Sequence, residues 1–245
     1  MIGIILAAGK GSRLGLITKN NHKALLLIKN KPLIEYQIDA LLRVGINKIY
    51  IITGYNSHLF DSYSDQFTLL YNSNWQNSNM LVSIMTAEHL LNESPAIISY
   101  SDIFYESFAF KSLLNQKELS ILYSSSWKEL WKKRFKHPAS DAETFSIDNF
   151  GYLKDIGEPL DCLSNACGQY MGIISFTPKY FSKFKKIFYT LPETKREKID
   201  VTSFLKHLLI TNSLNIKTIE YKGLWGEVDI PTDLQLYNSN SFYFP

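Results

Sequence analysis

Cysteine is scarce in this sequence. Only Cys162 and Cys167 occur among 245 residues, without the two-residue spacing of a zinc knuckle and without a second ligand pair. That argues against a zinc ribbon or a disulfide scaffold and leaves reduced thiols as the expectation. Long apolar runs are missing too: no stretch reaches the ~18 uninterrupted apolar residues of a membrane span. Met1 leads straight into an apolar run with no basic stretch ahead of it, and Lys10 and Arg13 follow too soon for a secretory signal. The expectation is a cytoplasmic protein with no membrane partner. Strong charge of either sign is also lacking, with 26 Lys+Arg against 23 Asp+Glu and a formal net charge of +3. The densest basic run, Trp131-Lys132-Lys133-Arg134-Phe135-Lys136, reads as a solvated helix face rather than a nucleic-acid footprint. No nucleic-acid partner is expected, and the small positive excess suits anionic small ligands.

What is present is ordinary globular composition, 45% hydrophobic and 20% charged, laid out as alternating strands and helices. Gly3-Ile4-Ile5-Leu6-Ala7-Ala8 is a short continuous apolar run closed by glycine, the pattern of a strand buried on both faces. After a turn at Lys29 to Pro32, Leu33 opens a helix with Ile34, Ile38 and Leu41 or Leu42 on one stripe, ended by Gly45. Lys48 to Thr53 is the next strand, which completes a βαβ unit. The alternation predicts a short helix over Ser57 to Tyr63, a strand over Phe67 to Tyr71, a helix over Leu81 to Leu91 and a strand over Ala96 to Tyr100. It continues with a helix over Phe108 to Asn115 and an extended segment over Leu119 to Ser124. Beyond Trp127 the regularity weakens. An antiparallel hairpin (Thr144 to Asp148, Tyr152 to Ile156) and a return strand (Gln169 to Phe176) are expected there. Helices over Lys179 to Leu191 and Val201 to Ile210, a strand over Ile216 to Tyr221 and a helix after Pro231 close the chain. The class is α/β: a single domain with a Rossmann-like, mostly parallel central sheet, flanking helices and a small antiparallel insertion after residue 125.

The first strand runs into Gly9-Lys10-Gly11-Ser12-Arg13-Leu14-Gly15. Glycines in such a loop let backbone N–H groups approach an anion. The dinucleotide fingerprint places two residues between its second and third glycines, where this loop has three, and no helical stripe follows at once. A Walker A loop ends in Gly-Lys-Ser/Thr, which is absent. The loop is a phosphate cradle of a third kind, with Lys10 and Arg13 inside it.

Leu6-Ala7-Ala8-Gly9-Lys10-Gly11-Ser12-Arg13-Leu14, followed by Lys23-Ala24-Leu25, resembles the signature of the nucleotidyltransferases that make nucleotide sugars and related activated compounds. Lys31-Pro32-Leu33-Ile34-Glu35-Tyr36-Gln37-Ile38 and Trp225-Gly226-Glu227-Val228-Asp229 are similar to segments of the bacterial phosphocholine cytidylyltransferase branch, so the likeness spans nearly the whole chain. One departure is His22, where many relatives have proline before the lysine. The resemblance implies the nucleotide-diphospho-sugar transferase fold. It also implies one nucleotidyltransferase domain over residues 1–245, with a nucleotide-binding half (1–125) and an acceptor-binding half (126–245).

The implied reaction is attack by an acceptor phosphate oxygen on the α-phosphorus of an NTP, with pyrophosphate leaving. A phosphomonoester has its second pKa near ~6, so no general base is required. Positioning and charge neutralisation are what the protein must supply. The resemblance implies Mg2+ held by Asp102, just past a buried strand, and by Asp229; Arg13 and Lys23 would steady the triphosphate. The competing readings are a helix N-cap for Asp102 and a helix start shared with Asp233 for Asp229. The nucleotide would lie over Leu6, Ala7 and Ala8 and the loop Gly9 to Arg13, with Lys10 a looser partner. Asn72, Ser78 and Asn79 would read the base, or else serve as turn residues.

At the acceptor end, Trp127, Trp131, Tyr170 and Trp225 could cage a quaternary ammonium, although the i, i+4 spacing of Trp127 and Trp131 also suits core packing. The stretch Trp131 to Phe145 and Gly168-Gln169-Tyr170-Met171-Gly172 looks more like cytidylyltransferases of capsule and phosphonate pathways. Arg134 would then meet a carboxylate, and Glu143 or Asp141 an ammonium. Gln169 and Glu227 complete the acceptor-binding candidates. The expected activity is a Mg2+-dependent cytidylyltransferase acting on CTP and a small phosphorylated acceptor, such as phosphocholine or phosphoglutamine, as part of cell-surface polysaccharide biosynthesis. A sugar-1-phosphate nucleotidyltransferase using UTP or dTTP and a non-catalytic nucleotide sensor are the alternatives. Oligomeric state stays open, a homodimer included.

Overall fold

β1 (Ile2–Ala7) is buried along its whole length, as a strand covered on both faces must be. The structure is a computed structural model that describes residues 1–239 and Phe242. After β1 come 3-10 turns at Ser12–Thr18 and Lys23–Leu25, then the two-residue strands β2 (Leu27–Ile28) and β3 (Lys31–Pro32). α1 (Leu33–Arg43) buries Ile34, Ile38 and Leu41, and Gly45 ends it with φ 82°. The first half continues through β4 (Ile49–Thr53), a 3-10 helix at Ser57–Tyr63, β5 (Thr68–Tyr71), α2 (Met80–Thr86), α3 (Glu88–Leu91), β6 (Ala96–Tyr100) and β7 (Ile103–Tyr105). The second half holds β8 (Ser120–Ser124), α4 (Trp127–Arg134), β9 (Glu143–Ile147), β10 (Leu153–Pro159) and β11 (Gln169–Phe176). It closes with α5 (Pro178–Thr190), α6 (Glu193–Lys198), α7 (Val201–Ile210), β12 (Lys217–Tyr221), β13 (Trp225–Glu227) and α8 (Pro231–Asn238).

Both halves feed one seven-stranded sheet of order β12-β8-β11-β6-β1-β4-β5. All its strands run the same way except β11, which is antiparallel to β6 and β8. β9 and β10 form the antiparallel insertion. β7 and β13 pair as a separate ribbon, with Glu227 opposite Ile103 and Gly226 opposite Phe104. Gly226 is required there, because a Cβ would lie 2.4 Å from the Phe104 ring. β1 lies between β6 and β4, so the crevice beyond its carboxyl end is where an open α/β sheet gathers its ligands.

Four expectations need correction. The helix over Leu81 to Leu91 is broken at Ala87, whose φ −97°, ψ 16° leave the helical region. Phe108 to Asn115 keeps only a 3-10 turn, Lys111–Leu113, because Phe110 and Leu113 insert into the core from a tight loop. α4 stands where regularity was expected to fade; its lysines face outward, but Arg134 turns in. The three-residue strands β7 and β13 are too short to show a period of two, and the polar α6 carries no apolar stripe to announce it. Among the described residues no helix is long and apolar enough to cross a membrane.

Candidate active site

Three chain segments meet at the crevice. The loop after β1 arrives first, with Gly11 at φ 62°, a conformation that costs a glycine little. A Cβ on Gly11 would sit 3.2 Å from the Lys23 side chain, so the loop and the lysine turn are packed together. His22 caps that turn, its Nδ1 accepting from the Ala24 N–H at 3.1 Å. The second segment follows β6 and carries Asp102. The third is β13 with the residues after it, carrying Glu227 and Asp229; the Val228 N–H donates to the Asp102 carbonyl at 2.8 Å and fastens the two segments.

Lys23 Nζ donates to Asp102 Oδ2 at 2.8 Å and also to Asp229 Oδ1. Arg13 Nη2 lies 3.1 Å from Asp229 Oδ1, with the arginine side chain 63% exposed. Burial works against a charge on Lys23, but Asp102, Asp229 and Glu227 outweigh it and raise its pKa. Burial likewise opposes ionisation of Asp229, yet Lys23 and Arg13 bring its carboxyl down to about 2. Glu227 is pushed well above the usual carboxylate range by burial and by its neighbour Asp229, against the pull of Arg134.

Asp102, Glu227 and Asp229 each place a carboxylate oxygen within 4.8 Å of the others. Asp102 Oδ1 is buried without a hydrogen-bond partner among the described residues. An all-oxygen set of converging carboxylates with a spare acceptor fits a hard divalent cation such as Mg2+. Glu227 sits with the metal candidates here, a position the sequence reading gave only to the acceptor; its spacing of two from Asp229 was the available signal.

Two cavities share this wall. One, about 230 Å³, is bounded by the glycine-rich loop (Gly9, Gly11, Ser12, Arg13), Lys23 and Asp102. The other, about 250 Å³, is lined by Asp141, Glu143, Gln169, Tyr170, Trp225 and Glu227, with Trp131 among the remaining lining residues. Arg13, Met80, Tyr100 and Asp229 border both. Burial holds the Asp141 carboxyl above its ordinary range. Tyr100 and Tyr170 meet edge to face at 5.9 Å, and Trp131 lies 5.8 Å from Trp225. Gln169 ties β11 to β9 through the Glu143 backbone, donating to its carbonyl at 2.5 Å.

Several sequence candidates are placed elsewhere. Trp127 is fully buried in the main core and borders neither cavity, which corrects its part in a cage. Arg134 has no exposed side-chain surface and is engaged by Asp233 and Glu227 at 3.0 and 3.1 Å, which corrects its assignment to an acceptor carboxylate. Asn72 is buried, donating to Ser78 and Ser83 and accepting from the Asn74 N–H, so it shapes a corner. Asn79 caps α2 through the Met80 N–H and donates to the Lys198 carbonyl. Asn72, Ser78 and Asn79 border neither cavity; Met80 and Tyr100, missed by the sequence reading, border both. Ala7 and Ala8 are buried at the end of β1, Leu6 reaches the smaller cavity, and Lys10 is exposed beside the Tyr55 ring.

Comparison with known proteins gives the chain's family and its fold. Residues 3–169 match the family profile described as the MobA-like NTP transferase domain. The chain is 34% identical to CTP:phosphoglutamine cytidylyltransferase of Campylobacter jejuni, over 96% of this chain and 98% of that protein. It is 35% identical to choline-phosphate cytidylyltransferase of Streptococcus pneumoniae over 53% of this chain and 55% of that one. A solved structure of CTP:phosphocholine cytidylyltransferase from Streptococcus pneumoniae superposes with a TM-score of 0.72 at 22% identity, covering 97% of each chain, and so shares the fold.

Proposed function

The chain belongs to the MobA-like NTP transferase domain family, and on that footing we propose that it is a Mg2+-dependent cytidylyltransferase. It would move CMP from CTP onto a small phosphorylated compound that carries a cationic nitrogen, such as phosphocholine or phosphoglutamine, giving a CDP derivative and pyrophosphate. The observation that carries this reading is the meeting of the two cavities at Arg13 and Asp229. The smaller has a glycine-rich, cationic wall suited to a triphosphate. The larger has carboxylates and aromatic faces suited to a cationic nitrogen.

In the proposed reaction an acceptor phosphate oxygen forms a bond to the α-phosphorus of CTP. The bond from that phosphorus to the bridging oxygen breaks, and pyrophosphate departs with the electron pair. The acceptor phosphate is already largely ionised near neutrality, so no side chain need take a proton. Lys23 and Arg13 hold the triphosphate and offset the charge that gathers around the α-phosphorus. Backbone N–H groups of Gly9 to Ser12 cradle the phosphates. A divalent cation held by Asp102, Glu227 and Asp229 would add charge neutralisation and orient the phosphates. The base would rest beside Leu6 and Met80, with Ser78 and Asn79 nearby. Asp141, Glu143, Tyr170 and Trp225 would receive the acceptor's nitrogen. With Arg134 already paired, the described lining offers an acceptor carboxylate no guanidinium except Arg13. In this reading residues 1–125 serve the nucleotide and residues 126–245 the acceptor, in the cytoplasm and in service of surface polysaccharide synthesis.

Pyrophosphate release tests the proposal. CTP, UTP and dTTP are each combined with Mg2+ and with phosphocholine, phosphoglutamine, phosphoethanolamine or glucose 1-phosphate. Release should require CTP and one of the nitrogen-bearing acceptors. Release confined to glucose 1-phosphate, or to no pair with CTP, contradicts it.

A further inference from the structure

Arg134 and Asp233 form a fully buried ion pair behind the carboxylate cluster. The contact is bidentate: Nε and Nη2 of Arg134 reach the two oxygens of Asp233, each at 3.0 Å. The pair also grips the segment that carries Glu227 and Asp229. Arg134 Nη1 lies 3.1 Å from Glu227 Oε2. Asp233 Oδ2 accepts from the Asp229 N–H at 2.8 Å and from the Ile230 N–H at 3.1 Å. Tyr237, one turn along α8, accepts from the Glu227 N–H at 3.2 Å through its hydroxyl. The guanidinium itself is held between rings, 4.9 Å from Trp131 and 4.8 Å from Phe135. The guanidinium is thus seated on α4, in contact with the Glu227 carboxylate and, through Asp233, with the Asp229 backbone.

We propose that the Arg134–Asp233 pair is a positioning unit for the metal site, aiming the Glu227 carboxylate and the Asp229 backbone so that both converge with Asp102. Three carboxylates brought within 4.8 Å repel one another, and a segment left to relax would turn one of them away. A planar fork with several donors can hold a carboxylate on each side; an ammonium in its place offers neither the fork nor the reach. Partners behind metal ligands typically change metal affinity by about 10–100-fold when removed. A pair that merely stabilised the fold would leave metal affinity unchanged in protein that remains folded.

The inference rests on the reading of Asp102, Glu227 and Asp229 as the cation site. The test is a Mn2+ titration of the full chain followed by electron paramagnetic resonance, well below each variant's unfolding midpoint. Arg134→Lys keeps the charge. The double variant Arg134→Gln with Asp233→Asn removes both charges but keeps hydrogen-bonding groups, and serves if the single variant does not fold. Wild-type protein should bind Mn2+, Asp102→Asn should lose binding, and the Arg134 variants should bind at least about tenfold more weakly, with near-ultraviolet circular dichroism preserved. Arg134 variants within twofold of wild type, beside an Asp102→Asn that fails to bind, overturn the positioning role and leave the cation site standing. Absence of binding by wild type as well overturns the cation site and this inference with it.

Discussion

Lys23 is the residue on which the site's electrostatics turn. Its ammonium is nearly buried and faces Asp102 and Asp229 together, so Lys23→Ala leaves two converging carboxylates without their shared cation and, in the proposed reaction, the triphosphate without its inner charge. Turnover should fall by roughly 10²–10³-fold, the usual cost of removing one preorganised donor, in protein whose circular dichroism is unchanged. Arg13→Ala should cost less, because that side chain is 63% exposed and solvent screens it. His22 sets a pH limit on stability. Burial lowers its pKa from 6.5 to about 4. Between those values the unfolded chain binds a proton that the folded protein refuses, so stability is lost as the pH falls through that window, by about 2 kcal/mol between pH 7 and pH 5. His22→Asn, whose Oδ1 can take the place of Nδ1 as acceptor for the Ala24 N–H, should show a correspondingly smaller difference in urea unfolding between pH 7 and pH 5. An equal loss in both proteins contradicts this.

Among the elements, α4 seats Arg134 behind the carboxylate cluster, and it was only partly legible. Its basic run announced a solvated helix face, which Lys132 and Lys133 are, yet nothing in the one-dimensional pattern says that Arg134 points inward to Asp233, 99 residues away. The same holds for Trp127. Its aromatic ring suited a ligand cage and its i, i+4 spacing to Trp131 suited core packing; in the structure it is core. Trp127→Ala should therefore destabilise the protein by about 3–5 kcal/mol, measured by chemical unfolding, with the KM for the acceptor unchanged in the folded fraction. A raised KM without loss of stability would restore the cage role. The β7–β13 ribbon, three residues on each side, could not be read from periodicity. Its need for Gly226 can be tested: Gly226→Ala forces a methyl against the rings of Phe104 and Tyr237 and should cost about 1–3 kcal/mol.

At the scale of the whole molecule, the strands β1, β4, β6, β8 and β11 were readable because a sheet covered on both faces writes continuous apolar runs between polar punctuation. The glycine-rich loop, Lys23, Asp102 and Asp229 were readable as a motif, and the fold brings them to one crevice. The division of labour among the remaining candidates was not. Asn72 and Arg134 are polar residues whose partners come from the fold, and a sequence shows the side chain without the partner. Met80 and Tyr100 are the converse, apolar and aromatic residues that read as core and stand at the wall between the two cavities. The account depends on that wall being where an acceptor phosphate meets the α-phosphorus of CTP. The most direct measurement supplies an acceptor that supports pyrophosphate release, labelled with 18O in its phosphate, together with unlabelled CTP, and follows the products by 31P NMR. The account predicts a CDP derivative with 18O in the bridge between its two phosphorus atoms and unlabelled pyrophosphate. Label in the pyrophosphate, or a product without labelled bridging oxygen, would contradict it.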